Sequence, residues 1–131
     1  KEVAFESAPS GIPGVETMLP LLVAAFREGK IDLLSLIAKT SWRPSELLGI
    51  PKAGYTPGDR ADFALYGTDC SPVAAEDLHS RAGFTPFEGM PAVFPETVIQ
   101  SGKVAFSEGE FFPASPRWYA GRGYIGGDPI E

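Results

Sequence analysis

The stretch that decides the fold is a Pro/Gly-rich loop that passes directly into an apolar helical pattern. It reads Ser7-Ala8-Pro9-Ser10-Gly11-Ile12-Pro13-Gly14-Val15-Glu16-Thr17-Met18-Leu19-Pro20. Apolar residues then recur at three- and four-residue spacing as far as Phe26, which predicts an amphipathic helix that ends near Gly29. Pro20 cannot donate a backbone hydrogen bond, so we expect the helix either to begin effectively near Thr17 or to kink at Pro20.

Two further helices are predicted before residue 50. Asp32 is placed to cap a helix that carries leucine and isoleucine side chains toward a core as far as Lys39. A third, short helix has Arg43 or Pro44 in its first turn and stops at Gly49. The first fifty residues therefore form the helical part of the chain.

The second half of the sequence has the pattern of short strands and turns. Residues 61–66 predict a strand with Phe63 and Leu65 on one face. Apolar pairs on both sides of Ser101-Gly102 indicate a hairpin, and Glu108-Gly109 predicts a second turn. The last stretch, 113–131, has no clear period, so we expect an extended tail that wraps on the body.

Composition limits the functions that the chain can have. Its 131 residues are 44% hydrophobic and 21% charged, as in one ordinary globular domain. A net charge of −6 with scattered basic residues argues against binding to nucleic acid or to an anionic membrane, and no apolar stretch is long enough to cross a bilayer. Cys70 is the single cysteine, which excludes an internal disulfide and favours a reducing, cytoplasmic compartment.

Several blocks of sequence, in the correct order, resemble the dihydroorotases, which are members of the cyclic amidohydrolase family. The resemblance covers roughly residues 1 to 112, and the opening loop together with Thr85-Pro86-Phe87 favours dihydroorotase over hydantoinase or allantoinase. The blocks after the opening loop are Ser45-Glu46-Leu47-Leu48-Gly49-Ile50, Gly54-Tyr55-Thr56-Pro57-Gly58-Asp59-Arg60-Ala61-Asp62-Phe63, His79-Ser80-Arg81-Ala82-Gly83-Phe84-Thr85-Pro86-Phe87-Glu88-Gly89-Met90 and Gln100-Ser101-Gly102-Lys103-Val104.

The resemblance implies an α/β fold. The chain would be the C-terminal end of a (β/α)8 metal-dependent hydrolase barrel together with part of a small composite β-sandwich domain. Residues 1–53 would form the last barrel loop and helices, 54–112 the small β domain with a barrel-closing segment, and 113–131 the extended tail.

The resemblance also implies an activity and a cofactor. Dihydroorotases hydrolyse dihydroorotate reversibly to N-carbamoyl-L-aspartate in pyrimidine biosynthesis, with two zinc ions in each full-length enzyme. His79 is the only histidine, so this chain cannot supply such a site. We therefore expect no metal ligand and no catalytic residue in the chain, and we expect the chain alone to be inactive.

The substrate contacts implied by the resemblance lie in the opening loop. Ser10 and Gly11 would lie against the dihydroorotate ring, and Ala8 and Pro9 would shape the approach. A glycine lets the backbone come close to a ligand, and a proline fixes the direction of the chain. Ser10 stands where many bacterial members carry an aromatic residue. On composition alone, the loop is a plain strand-to-helix connection.

Five other polar residues are expected to have structural roles. Glu16 fits a helix N-terminus, where a carboxylate meets free N–H groups. Asp59 and Asp62 surround a glycine turn, where aspartate makes local hydrogen bonds. Arg81 is expected to form a salt bridge that fastens the closing segment, and His79 to be a surface or structural histidine.

The partners implied are the small-molecule substrate, the N-terminal remainder of the same enzyme and further copies in a homo-oligomer. We expect the chain, which begins at Lys1 without an initiator Met, to be ordered only beside that remainder or a second copy, because a cut barrel leaves apolar faces uncovered. Two alternatives stay open. One is a hydantoinase or allantoinase, and the other is a non-catalytic dihydroorotase-like assembly module.

Overall fold

The computed structural model describes residues 11–114 and 117–123. Helices precede strands, in the predicted order. The elements are α1 (Val15–Arg27), α2 (Leu33–Ile37), a π-helical turn (Ala38–Trp42), α3 (Arg43–Leu48), β1 (Phe63–Tyr66), β2 (Ser71–Pro72), a 3-10 turn (Ala75–Asp77), β3 (Pro91–Ala92), β4 (Pro95–Gln100), β5 (Lys103–Ser107) and β6 (Glu110–Phe111).

Helix α1 begins at Val15 and includes Pro20, so the alternative in which it begins near Thr17 is wrong. Pro20 is buried where α1 contacts the segment around β3, and its carbonyl accepts a hydrogen bond from Val93 N at 3.0 Å. A proline inside a helix removes one backbone hydrogen bond. Burial and the added bond from Val93 offset that loss here.

The second and third predicted helices form one helical run from Leu33 to Leu48 instead of two separate elements. Asp32 caps the run as predicted, because its Oδ1 accepts from Ser35 N at 2.9 Å. No glycine or proline interrupts the sequence before Pro44, so nothing stops α2 at Lys39. The π turn at Ala38–Trp42 then joins α2 to α3, in whose first turn Pro44 needs no N–H partner.

Gly49 ends the helical run in the left-handed region, with φ of 69°, as its position predicted. Part of the tail lies directly on this end, since Arg122 N donates to the carbonyl of Leu48 at 2.5 Å. A Cβ added at Gly49 would lie 3.0 Å from the Cβ of Arg122. The described part of the tail, 113–114 and 117–123, has no helix or strand, and it contacts the body here through Arg122.

Four strands form one antiparallel sheet in the order β1-β4-β5-β6. Ser101 and Gly102 have φ of 51° and 79°, and Glu108 and Gly109 have φ of 51° and 84°. Two successive left-handed residues are typical of the tight turns whose twist matches that of the flanking strands. Both predicted turns are therefore confirmed.

The dipeptide Ala61-Asp62, directly before β1, fixes the turn between β4 and β5. Ser101 N donates to Asp62 Oδ1 at 2.6 Å, and Gly102 N donates to the carbonyl of Ala61 at 2.9 Å. Arg60 pairs with the other oxygen of the Asp62 carboxylate. Asp62 therefore makes the predicted local contact, with Arg60 two residues away, and a second bond to Ser101, 39 residues away, that the sequence did not predict.

The core lies between α1 and a second, two-stranded sheet in which β2 pairs with β3. Val73 is 1% exposed, and Ala92 and Val93 are fully buried. From the helix, Thr17 and Ala24 complete this core. The sequence did not predict β2 and β3, because two-residue strands that contain proline show no alternation.

Many large apolar side chains remain exposed on the described part of the chain. They occur on α1, on the run from Leu33 to Leu48 and on the four-stranded sheet. The most exposed side chains on these elements are Val15 (96%), Leu47 (75%), Leu34 (68%) and Phe111 (65%).

No helix of the described residues is long and apolar enough to cross a membrane.

Candidate functional site

The predicted substrate loop leads into α1, and its last member, Gly11, is within the described residues. Ala8, Pro9 and Ser10 lie outside them. Gly11 is exposed, and a Cβ added to it would meet nothing within 4 Å. The described chain therefore leaves the space beside Gly11 open.

The Thr-Pro-Phe segment of the sequence holds the start of α1. An added Cβ at Gly14, the residue before the helix, would lie 3.8 Å from a ring carbon of Phe87, which places the ring in contact distance of this turn. Thr85 is buried, and its hydroxyl accepts from Phe87 N at 3.3 Å. The block that marked the family resemblance thus packs beside the candidate substrate loop.

Glu16 and His79 form a second contact at the same helix start. Glu16 Oε1 lies 2.7 Å from His79 Nδ1, and Glu16 Oε2 accepts from the backbone N of His79 at 2.9 Å. A carboxylate only accepts hydrogen bonds, so Nδ1 carries the hydrogen. Glu16 lies in the first turn of α1 as expected, and it also bonds to His79, 63 positions away, which the sequence did not predict. His79 has the structural role expected of it.

The ring of His79 also contacts the four-stranded sheet. It meets the ring of Phe111 on β6 edge to face, with centroids 4.8 Å apart and planes at 82°. Such edge-to-face geometry is the favourable arrangement for two aromatic rings. His79 therefore connects the start of α1 to the last strand of the sheet.

A cleft of about 390 Å³ lies where these segments meet, lined by residues 12–17 and 78–80. Its wall is mainly apolar, and Glu16 and His79 are bonded to each other within it. Ser80 also lines the cleft, and its Oγ accepts from the backbone N of Ala82 at 3.3 Å. The cleft has the form of a binding or positioning site.

No group of three histidine, cysteine, aspartate or glutamate side chains within residues 11–114 and 117–123 is placed to hold a metal ion. The two zinc ions that the sequence resemblance implies would need several converging ligands. The one histidine of the chain has its Nδ1 against Glu16. The described residues therefore do not fit a zinc centre.

A second cleft of about 620 Å³ contains Lys52, Arg60, Arg117 and Tyr119. The hydrogen bond from Arg60, and then Arg117, holds the pKa of Tyr119 below its usual range, and the Arg60 guanidinium lies 5.0 Å from the Tyr119 ring centroid. Arg60 is itself paired with Asp62. This cluster fastens the tail to the body.

Two other predictions have clear outcomes. Asp59 makes the expected local bond, since its Oδ2 accepts from Thr56 N at 3.1 Å. Arg81 is exposed, and its predicted salt bridge has no partner within the described part of the chain.

Sequence comparison identifies relatives of this chain. No protein-family model matches the chain. The chain is 42% identical over 112 residues to the dihydroorotase of Methanosarcina acetivorans, an alignment that covers 82% of this chain and 24% of that enzyme. It is 41% identical over 100 residues to the dihydroorotase of Archaeoglobus fulgidus, covering 75% of this chain and 25% of that enzyme. The chain belongs to the dihydroorotase family of cyclic amidohydrolases. It spans about a quarter of the length of these curated relatives.

Solved structures of related cyclic amidohydrolases share the fold. A D-hydantoinase superposes with a TM-score of 0.74 at 28% identity, over 82% of this chain and 24% of that one. The D-hydantoinase (dihydropyrimidinase) of a Thermus species gives 0.75 at 25% identity, over 85% and 25%. The resemblance predicted from the sequence blocks is confirmed.

The contact that sequence reasoning missed is the one between Glu16 and His79. Glu16 has the position of an ordinary first-turn carboxylate, and its partner is 63 residues away. The only signal was that His79, the single histidine, begins the block that runs to Met90.

Proposed function

We propose that this chain is the C-terminal portion of a zinc-dependent dihydroorotase, which hydrolyses dihydroorotate reversibly to N-carbamoyl-L-aspartate in pyrimidine biosynthesis. The 42% identity to the Methanosarcina acetivorans dihydroorotase carries the proposal. A cyclic amide substrate and its open carbamoyl acid are the corresponding small-molecule partners.

In this proposal the contribution of the chain is to bind and orient the substrate. Ala8, Pro9, Ser10 and Gly11 form the loop that meets the ring, and the backbone at Gly11 makes a close contact. Residues 1–53 complete the barrel, 54–112 contribute to the small β domain and 113–131 form the tail.

The zinc ligands and the proton-transferring carboxylate lie, in this proposal, in the upstream portion of the enzyme. Support comes from the donor set, because the sequence has one histidine and that residue bonds to Glu16. When bound, the metals supply hydroxide and polarise the amide. The isolated chain is accordingly inactive.

The upstream portion is also the structural partner that we propose for the exposed apolar side chains. Val15 is 96% exposed and Leu47 75% exposed, at opposite ends of the helical part. Large exposed apolar patches mark interaction surfaces. A homo-oligomer and a cytoplasmic location complete the proposal.

A hydantoinase activity is the second candidate, and the similarity to two solved D-hydantoinases favours it. The two candidates share the fold and differ in the ring that they open. The substrate therefore decides between them.

The test is to purify the full-length protein with zinc and to measure hydrolysis of dihydroorotate and of hydantoin, with the isolated chain assayed in parallel. Dihydroorotate turnover by the full-length protein alone is the expected result. Turnover by the isolated chain would refute the assignment of the ligands to the upstream portion, and a preference for hydantoin would favour the second candidate. An upstream sequence without a His-x-His element and a barrel lysine would instead identify a non-catalytic assembly module.

A further inference from the structure

We propose that the cleft between the tail and the turn that joins β4 to β5 binds a small molecule through its phosphate group. The cleft has a volume of about 620 Å³ and lies outside the substrate loop, so the site does not depend on the proposed function. Lys52 follows α3, Arg60 precedes β1, and Arg117 belongs to the tail. The end of the helical part, the entry to the sheet and the tail thus bring three cations to one opening.

The charges around this cleft do not cancel. Lys52 Nζ lies 2.6 Å from Glu46, but the same carboxylate also pairs with Arg43 at 2.7 Å. One carboxylate is therefore shared by two cations. Arg117 has no carboxylate within ion-pair distance among residues 11–114 and 117–123.

Two aspartates at the cleft are already engaged. Asp62 pairs with Arg60 and accepts from Ser101 N, and Asp59 accepts from Thr56 N. The charged groups at the cleft and their ion-pair partners are Arg43, Lys52, Arg60 and Arg117 against Glu46, Asp59 and Asp62. One positive charge is left over there, although the chain as a whole carries −6. An excess of positive charge at an opening attracts an anion.

Tyr119 adds a further donor to the cleft. Arg60 and then Arg117 donate hydrogen bonds to its phenol oxygen and hold the pKa of Tyr119 below its usual value. A phenol that accepts from two guanidinium groups still has its own O–H to donate. Tyr119 can therefore bond to an anion that the cations attract.

A phosphate group fits this set of donors better than a carboxylate does. It offers three terminal oxygens to cations from three segments, whereas a carboxylate offers two. Arginine donates to phosphate through parallel N–H groups, and lysine meets it as a point charge. The cleft also admits more than a bare ion, because small-molecule sites have volumes of about 300–1,000 Å³. Gly58 and Gly102 leave the opening clear, since a Cβ added at either would meet nothing within 4 Å.

The test is a calorimetric titration of the full-length protein with inorganic phosphate at constant ionic strength. The wild type should bind phosphate, and Arg117→Ala should weaken binding about tenfold, as expected for the loss of a hydrogen bond to a charged group. Lys52→Met should weaken binding by a similar factor, and it leaves the contacts of the tail intact. Arg81→Ala is the matched control. Arg81 is exposed and has no ion-pair partner within the described part of the chain, so its loss should leave the affinity unchanged.

Two further probes identify the class of ligand. Acetate offers only two oxygens and should bind more weakly than phosphate. Glycerol 3-phosphate carries the phosphate group on a small carbon frame and should bind at least as tightly as inorganic phosphate. Acetate that binds as tightly as phosphate, or glycerol 3-phosphate that does not bind, would overturn the assignment of the cleft to a phosphate-bearing molecule.

The remaining outcomes separate a ligand site from a cluster that only fastens the tail. A wild type that does not bind phosphate, or full affinity in both Arg117→Ala and Lys52→Met, would overturn the proposal. An equal loss of affinity in Arg81→Ala would do so too, because it would show that phosphate responds only to the total charge. None of these measurements needs dihydroorotate turnover, so they decide the matter even if the proposed function fails.

Discussion

Leu47 lies near the end of α3 with 75% of its surface exposed, and its replacement by alanine tests whether the upstream portion of the enzyme covers this helix. The upstream portion and this chain would be made as two separate polypeptides, and the dissociation constant of their complex would be measured by calorimetry. Lys39→Ala, an exposed polar position in the same helical run, is the matched control.

The magnitude follows from the exposure of Leu47. Full burial of a leucine side chain contributes about 1.5–3 kcal/mol. Three quarters of the residue is still exposed in this chain, so covering it would contribute about 1–2 kcal/mol to the binding free energy. Leu47→Ala should therefore raise the dissociation constant about fivefold to thirtyfold.

A dissociation constant that matches that of Lys39→Ala would refute the reasoning, because it would mean that α3 faces solvent in the complex too.

Three more predictions address the fold of the full-length protein. Val93 is fully buried, and Val93→Ala removes two methyl groups and leaves a cavity, so it should destabilise the region around α1 by about 2–3 kcal/mol. Faster amide exchange in α1 would measure this loss. Unchanged exchange would contradict the assignment of Val93 to the core. Asp62→Ala removes the oxygen that accepts from Ser101 N and should increase exchange at the hairpin turn, whereas Asp69→Ala, far from the turn, should not. The pKa of Glu46 is held below its usual value, chiefly by the hydrogen bond from Lys52. The stabilisation that this carboxylate contributes is therefore complete above its pKa in the unfolded chain and is lost as the pH falls through its pKa in the folded protein. The difference in melting temperature between wild type and Lys52→Met should therefore shrink as pH falls below about 4, and a difference that is independent of pH would exclude this ion pair as its source.

Local patterns predicted the helices and turns because their signals lie within a few residues of one another. Asp32 caps its helix, Gly49 ends the helical run, and Ser101-Gly102 forms a turn in the left-handed region. Each of these depends on backbone geometry that the residue itself permits or prevents. The join between α2 and α3 was not predictable in this way, because a π turn has no local sequence signature.

The candidate site was predictable only in part. The order of sequence blocks identified the family and placed Gly11 in the substrate loop, and the comparisons confirmed the family. The role of that loop stays a prediction, since only Gly11 of its four residues is described.

The sequence by itself determined the family, the succession of helices and strands, and the lack of enough histidine for a zinc pair. Only the tertiary structure decided which distant residues meet, such as Glu16 with His79 and Asp62 with Ser101. The physical reason is that a hydrogen bond between residues 63 or 39 positions apart requires the folded chain to bring the two partners together. The sequence around either partner does not specify the position of the other.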